Sequence, residues 1–147
     1  KKIASNIFKA TRKNEMNTTF DLKKVVEKCI NPRYATKSLA RVFQSIRIKI
    51  NNELDALEEA LINSIKWLKT GGRIAIISFH SLEDRIVKKF FINESISCIC
   101  PKEAPICTCK ITPSLKIVKR KVIRPSENEL VLNSRSRSAK LRIAERI

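Results

Sequence analysis

Residues 74–85 read IAIISFHSLEDR, an apolar run that stops at a polar cluster from which a helical pattern starts at once. Gly71-Gly72 stands before it. From Arg73 to Phe79 the run is nearly continuous in apolar residues, as expected of a strand buried on both faces of a parallel sheet. Helix, glycine turn and buried strand make half of a βαβ repeat, so the stretch points to an α/β fold. Ligands of open α/β sheets sit just beyond the carboxyl ends of the strands. That rule puts Ser78, His80, Ser81, Glu83 and Asp84 where chemistry is normally done, and His80 is the only histidine of the chain. Ser81 is expected to cap the following helix, with Asp84 as its capping-box partner and Ile86, Val87, Phe90 and Phe91 facing the core.

Upstream, Leu54, Leu57, Leu61, Ile65 and Leu68 form an apolar stripe at helical spacing. Glu53, Asp55, Glu58 and Glu59 gather at its start and Lys66 and Lys69 at its end, which matches the helix dipole, and Gly71-Gly72 supplies the stop. The first third of the chain reads as a small helical subdomain. Ile3, Ala4, Ile7 and Phe8 recur at helical spacing, Thr19 and Asp21 offer capping oxygens ahead of Leu22, Val25, Val26 and Cys29, and Asn31-Pro32 breaks the run. A further helix carries Leu39, Val42, Phe43, Ile46 and Ile50 on one face. Downstream, periodicity lapses in a cysteine-rich irregular segment, residues 95–113. Leu115 to Ile123 and Lys140 to Ile147 then read as strands suited to pairing antiparallel at a sheet edge, with a capped helical turn at Ser126-Glu127-Asn128-Glu129 between them.

The 147 residues, 43% of them apolar, suffice for one ordinary domain or two small subdomains. Lys and Arg number 31 against 14 Asp and Glu, a net charge of +17, which attracts polyanions and makes nucleic acid the first partner to test. A lysine-rich solvated surface is the alternative, and clustering of the arginines favours contact. No apolar run reaches bilayer length and Lys1 to Lys13 lacks the centre of a secretory signal, so a cytoplasmic protein with no membrane partner is expected.

Each polar constellation has a functional and a structural reading. In SFHSLEDR, His80 is suited to orienting a substrate or accepting a proton and the carboxylates to holding an amino or hydroxyl group; the structural reading has Ser81, Glu83 and Asp84 serving only the helix start. Cys98, Cys100, Cys107 and Cys109 form two close pairs that offer four thiolates to zinc. One-residue spacing within each pair is unlike the usual zinc knuckle, which leaves reduced, partly buried thiols as the alternative. Residues 133–142, NSRSRSAKLR, set Arg135, Arg137, Lys140 and Arg142 among serines, a composition matched to phosphate oxygens. Base stacking has few aromatics to use, Phe79 and Tyr34 among them. The only glycines are the adjacent pair, so the chain carries no glycine-rich nucleotide loop.

Four stretches together resemble the bacterial MraW-type methyltransferases: Arg41 to Ile48 (RVFQSIRI), Asn51 to Leu54 (NNEL), Gly71 to Arg85, and Ser136 to Arg142 (SRSAKLR). Cys98 to Cys109 is similar to a cysteine-rich variant of that family. Ser45-Ile46 stands where Ala-Leu is usual, and no charged motif residue is lost. The resemblance runs in order through nearly the whole chain, and it is to the C-terminal half of these enzymes. It implies a class I, Rossmann-like methyltransferase fold, of which residues 1–45 would be the end of an inserted helical domain and residues 46–147 the second half of the catalytic sheet. It implies transfer of a methyl group from S-adenosylmethionine to cytosine N4 of small-subunit ribosomal RNA. The partners would be that RNA or the small ribosomal subunit, together with the missing N-terminal half, which would hold most of the cofactor site.

On that resemblance Ser78 and His80 would line the base pocket, Glu83 or Asp84 would fix its edge, and Arg47, Arg85, Arg135, Arg137, Lys140 and Arg142 would take phosphates. By itself the chain would be inactive. The competing reading is a non-catalytic RNA-binding or ribosome-associated module, and a metal-stapled interaction protein is a third.

Overall fold

Gly71 adopts φ 80°, a left-handed conformation that favours glycine. A Cβ on Gly72 would meet Lys69 O at 2.8 Å, so the pair is needed where helix turns into strand. Gly71 N donates to Arg146 O and Arg146 N to Gly72 O, both at 2.8 Å, and this ties the turn to the last strand. The computed structural model describes residues 1–100, 109 and 111–147. They form two compact units, Lys1–Glu53 and Leu54–Ile147.

The first unit is helical, with α1 (Lys2–Arg12), α2 (Thr19–Glu27), a 3-10 turn (Pro32–Tyr34) and α3 (Ala35–Asn51). Thr18, one residue before the expected Thr19, is the N-cap of α2, and its hydroxyl and the Asp21 carboxylate make a reciprocal capping box. Ala10, Leu22 and Val26 are the buried apolar residues of this unit. Cys29 is half-buried: its thiol donates to Val25 O at 3.1 Å and accepts from Asn6 Nδ2 at 3.2 Å. The apolar stripe of α3 has no buried member. Near the end of the unit α3 runs unbroken to Asn51, and a left-handed turn follows at Asn52, φ 51°.

The second unit contains α4 (Glu53–Trp67, which starts at the unit boundary), β1 (Arg73–Ser78), α5 (Ser81–Glu94), β2 (Leu115–Ile117), α6 (Glu127–Leu132), a 3-10 turn (Ser134–Ser138) and β3 (Lys140–Arg146). Among the described residues the sheet order is β1-β3-β2 and both pairings are antiparallel. Leu61, Ile74, Val87, Phe91, Leu115 and Ala144 make one buried cluster, each large side chain contributing about 1.5–3 kcal/mol. Ile86 and Phe90, expected in the core, pack partly buried against it.

Two expectations for this unit are corrected. β1 is not buried on both faces: Ile74 and Ser78 are buried and Ile76 half-buried, whereas Arg73, Ala75 and Ile77 are exposed, Ile77 at 60%. No described strand pairs with its outer edge, and no parallel pairing occurs among the described residues. The strand expected over residues 115–123 is shorter, because the cationic run Lys119-Arg120-Lys121 bows out into solvent before Ile123 returns as a single bridge to Leu141. The antiparallel pairing of the two late strands is as expected.

Candidate functional site

Register places the site. In the antiparallel ladder Ser78 is opposite Lys140, Ile76 opposite Arg142 and Ile74 opposite Ala144, so these pairs share the sheet face against which α5 packs. Two cations on that inward face require an anion, and Asp84 in the first turn of α5 supplies it. Arg142 Nε donates to Asp84 Oδ1 at 2.7 Å and Lys140 Nζ to Oδ2 at 3.2 Å. Burial acts to raise the Asp84 pKa, but the hydrogen bonds and charges of Arg142 and Lys140 outweigh it, and the carboxyl is held below its ordinary value.

The N-cap of α5 is His80 and its capping-box partner is Glu83, which corrects the expected Ser81 and Asp84 by one residue. Imidazole can replace the usual short hydroxyl because its Nδ1 accepts from Glu83 N at 3.3 Å. Glu83 Oε2 in turn accepts from Phe79 N at 2.8 Å and His80 N at 3.1 Å. With Nδ1 accepting, the imidazole proton sits on Nε2. That atom is buried, 3.1 Å from Glu83 Oε1 and without an aligned hydrogen bond. Nδ1 is thereby committed to the cap. Ser78 is buried and its hydroxyl lies 3.4 Å from Lys140 O.

Beyond these groups, at the carboxyl end of β1, is a cavity of about 300 Å³. Phe79, His80 and Ser81 line one side, and Arg124, Arg137, Ser138, Ala139 and Lys140 the other. Phe79 is 54% exposed, so an aromatic face stands beside three cations. The 3-10 turn shapes the second wall: Asn133 Oδ1 accepts from Arg135 N at 3.2 Å, and the buried Ser136 hydroxyl donates to Asn133 O at 2.8 Å. From this turn Arg137 lines the cavity.

The expected phosphate-binding residues therefore separate. Arg137 and Lys140 line the cavity; Arg135 is exposed nearby in the sequence but does not line it. Arg85 lines a different groove, with Glu58, Ile62 and Phe90 between α4 and α5. Arg47 belongs to the first unit, where Glu53 holds it through Nε at 2.8 Å and Nη2 at 3.0 Å. Arg142, besides pairing with Asp84, lines a cavity of about 370 Å³ with an apolar floor of Phe91, Ile92 and Ile117 and a rim of Lys88, Lys119 and Arg120. That cavity is larger but has neither the imidazole nor the strand-end position, so the cavity beyond β1 is the candidate site. Arg124 escaped sequence reasoning because it stands outside the serine-arginine run; its signal was the return of Ile123 to the sheet edge, which carries it to the cavity rim.

Of the cysteines, Cys98, Cys100 and Cys109 bring their sulfur atoms within 4.8 Å of one another, and Cys107 lies outside the described residues. The first unit's Cys29 takes no part in this group. Among the described residues no helix is long and apolar enough to cross a membrane.

Fold and cavity define a mixed α/β chain with a cationic, aromatic-edged strand-end pocket suited to an anionic ring-bearing ligand. The chain belongs to the MraW methylase family, whose sequence profile matches residues 1–147. It is 49% identical over 151 aligned residues to the ribosomal RNA small subunit methyltransferase H of Finegoldia magna, covering 100% of this chain and 48% of that protein. It is 47% identical over 148 to the protein of that name from Caldicellulosiruptor saccharolyticus, with 100% and 48% covered. With the one from Dehalococcoides mccartyi it is 48% identical over 136, with 92% and 39% covered. The chain thus spans about half the length of the curated relatives it matches.

Proposed function

We propose that this chain is the C-terminal half of a methyltransferase that transfers a methyl group from S-adenosylmethionine to cytosine N4 of small-subunit ribosomal RNA. The observation that carries the reading is the cavity at the end of β1, with an exposed Phe79 beside Arg124, Arg137 and Lys140, in a member of the MraW methylase family. Phosphates of the RNA chain meet the three cations and an unstacked base meets the Phe79 ring, the division of labour by which single-stranded RNA is held. The base must leave its stack to enter.

An exocyclic cytosine amine is a poor nucleophile because its lone pair is delocalised into the ring. Hydrogen-bond acceptors at the pocket localise that pair by holding the amino protons, and correct placement makes the encounter effectively unimolecular. The acceptors available here are the hydroxyls of Ser81 and Ser138 and the backbone carbonyls around them. Ser78 supports the floor from within, and His80 and Glu83 fix the backbone of Phe79 through the cap, which is how Glu83 sets the pocket edge. Asp84 acts at one remove, by holding Lys140 and Arg142.

S-adenosylmethionine, when bound, supplies the electrophilic methyl group. The two glycines of this chain serve a helix-to-strand turn and offer no cradle for it, so we assign its pocket mainly to the other half of the protein. The fold follows suit: residues 1–45 belong to a helical insert that includes most of α3, residues 46–147 to the methyltransferase domain, and the outer edge of β1 is where a class I sheet continues. The enzyme works in the cytoplasm on the small ribosomal subunit.

The test is methyl transfer by the intact gene product from labelled S-adenosylmethionine to undermethylated small subunits, with nucleoside mass spectrometry of the product. N4-methylcytidine at a single site supports the reading. RNA binding without transfer and without cofactor binding would replace it by the non-catalytic module, and a methyl group on another atom would refute the cytosine N4 assignment.

A further inference from the structure

Between α5 and β2 the chain makes a long excursion closed at its neck: Ser114 N donates to Glu94 O at 2.9 Å, and the Ser114 hydroxyl bonds the Glu94 carboxylate. The described residues of this stretch carry no helix or strand, and Ile99 is exposed. Here the organising feature is sulfur. Cys98 and Cys100 on the departing limb and Cys109 on the returning limb bring their sulfur atoms within 4.8 Å of one another.

We infer that Cys98, Cys100 and Cys109 are ligands of a structural zinc ion that staples the two limbs together. Thiolates are soft ligands that select zinc over the hard cations. With Zn–S bonds of about 2.3 Å, tetrahedral sulfurs stand about 3.8 Å apart, so a group already within 4.8 Å closes on the ion by small side-chain rotations. The exposed Cys98 leaves a route for the metal. Each thiol releases one proton to solvent as its Zn–S bond forms, and no electron is transferred. The resulting zinc–thiolate centre carries net negative charge, which a chain of net charge +17 favours. Three sulfurs leave one tetrahedral position for a further ligand. None of these cysteines lines the strand-end cavity, so the test of this site is separate from that of the proposed methyl transfer.

The experiment uses the intact gene product, purified under reduction without chelators, loaded with zinc and then freed of excess metal. Elemental analysis should find about one zinc per chain, as a structural site holds one ion. Cys29→Ser should keep it and the double variant Cys98→Ser, Cys109→Ser should lose it. Should the double variant fail to fold, cobalt-loaded wild-type protein decides alone: tetrahedral thiolate ligation gives intense sulfur-to-cobalt charge-transfer absorption and visible ligand-field bands. Two results overturn the inference: wild-type protein with neither stoichiometric zinc nor those cobalt bands, or an unreduced intact mass lower by about two hydrogens for each cysteine pair, which would make the group a disulfide site.

Discussion

Arg142 of β3 and Asp84 of α5, 58 positions apart in the sequence, are joined by a 2.7 Å hydrogen bond and are each 14% exposed at the side chain. The bond locks the first turn of α5 onto the sheet at the strand end that the cavity occupies. Lys140, held by the other oxygen of Asp84, is both a member of this triad and a wall of the cavity. Packing and ligand contact therefore share one carboxylate, and a change at Asp84 should be felt in both.

Replacing Asp84 with Asn leaves two inward cations without an anion. The loss should fall between the roughly 1 kcal/mol of an exposed pair and the roughly 3–5 kcal/mol of a fully buried one, at about 2–3 kcal/mol, read as a lower urea midpoint. Because the folded Asp84 carboxyl is held below its ordinary value, its contribution is present above the unfolded pKa, about 3.9, and is lost as pH falls through the folded one. The gap between wild type and Asp84→Asn should narrow below about pH 4. A gap that stays constant through the acid range would show that the triad does not depend on the charge of Asp84.

His80 separates cap from chemistry. His80→Ala removes the N-cap acceptor at a cost of about 1 kcal/mol and frees the Phe79 backbone from its anchor, so methyl transfer by the complete protein should fall at least about tenfold, near 1.4 kcal/mol of barrier. His80→Asn restores a capping oxygen and should recover most of both losses. If Asn restores stability but not rate, the imidazole itself takes part and its positioning role is insufficient.

The strand-end place of the polar cluster that borders the candidate site was legible in IAIISFHSLEDR, because the switch from apolar run to polar cluster depends on local pattern alone. Which residue caps α5 was not. Serine is the commoner cap, and histidine fills the place only because the reciprocal bond from Glu83 closes over it. The role of Asp84 was hidden for a different reason: its partners come from a strand far along the chain, and register, which the composition of Lys140 to Arg146 does not reveal, decides that they face inward. The same run of apolar residues overstated the burial of β1, since hydrophobicity reports what a strand can bury and not what lies against it. Arg47, Arg85 and Arg142 were grouped with the phosphate ligands by charge, and geometry ties Arg47 to Glu53 and Arg142 to Asp84.

Salt dependence sorts the arginines. Arg124→Ala and Arg137→Ala should each lower the slope of log binding constant against log salt by about 0.7 for single-stranded RNA, as each removes one phosphate contact. Arg85→Ala, on the far groove between α4 and α5, should leave the slope unchanged. Arg142→Ala should instead reduce stability. An equal effect of Arg85 and Arg137 on the slope would mean that the cavity is not where phosphate binds.

β1 tests whether the sheet continues. Its outer edge carries no described partner, Ala75 and Ile77 are exposed on its open face, and Trp67 at the end of α4 is 86% exposed. An unpaired strand edge beside apolar surface promotes association. Produced alone, residues 1–147 should therefore be poorly soluble or self-associating, and, on the proposed function, co-production with an N-terminal methyltransferase half should bring them into solution as a one-to-one complex. A charged substitution, Ile77→Lys, should raise the solubility of the isolated chain while abolishing that rescue, because the added lysine is harmless in water and costly beneath a neighbouring layer. A monomeric isolated chain with a sharp cooperative melt would show that β1 is a finished edge.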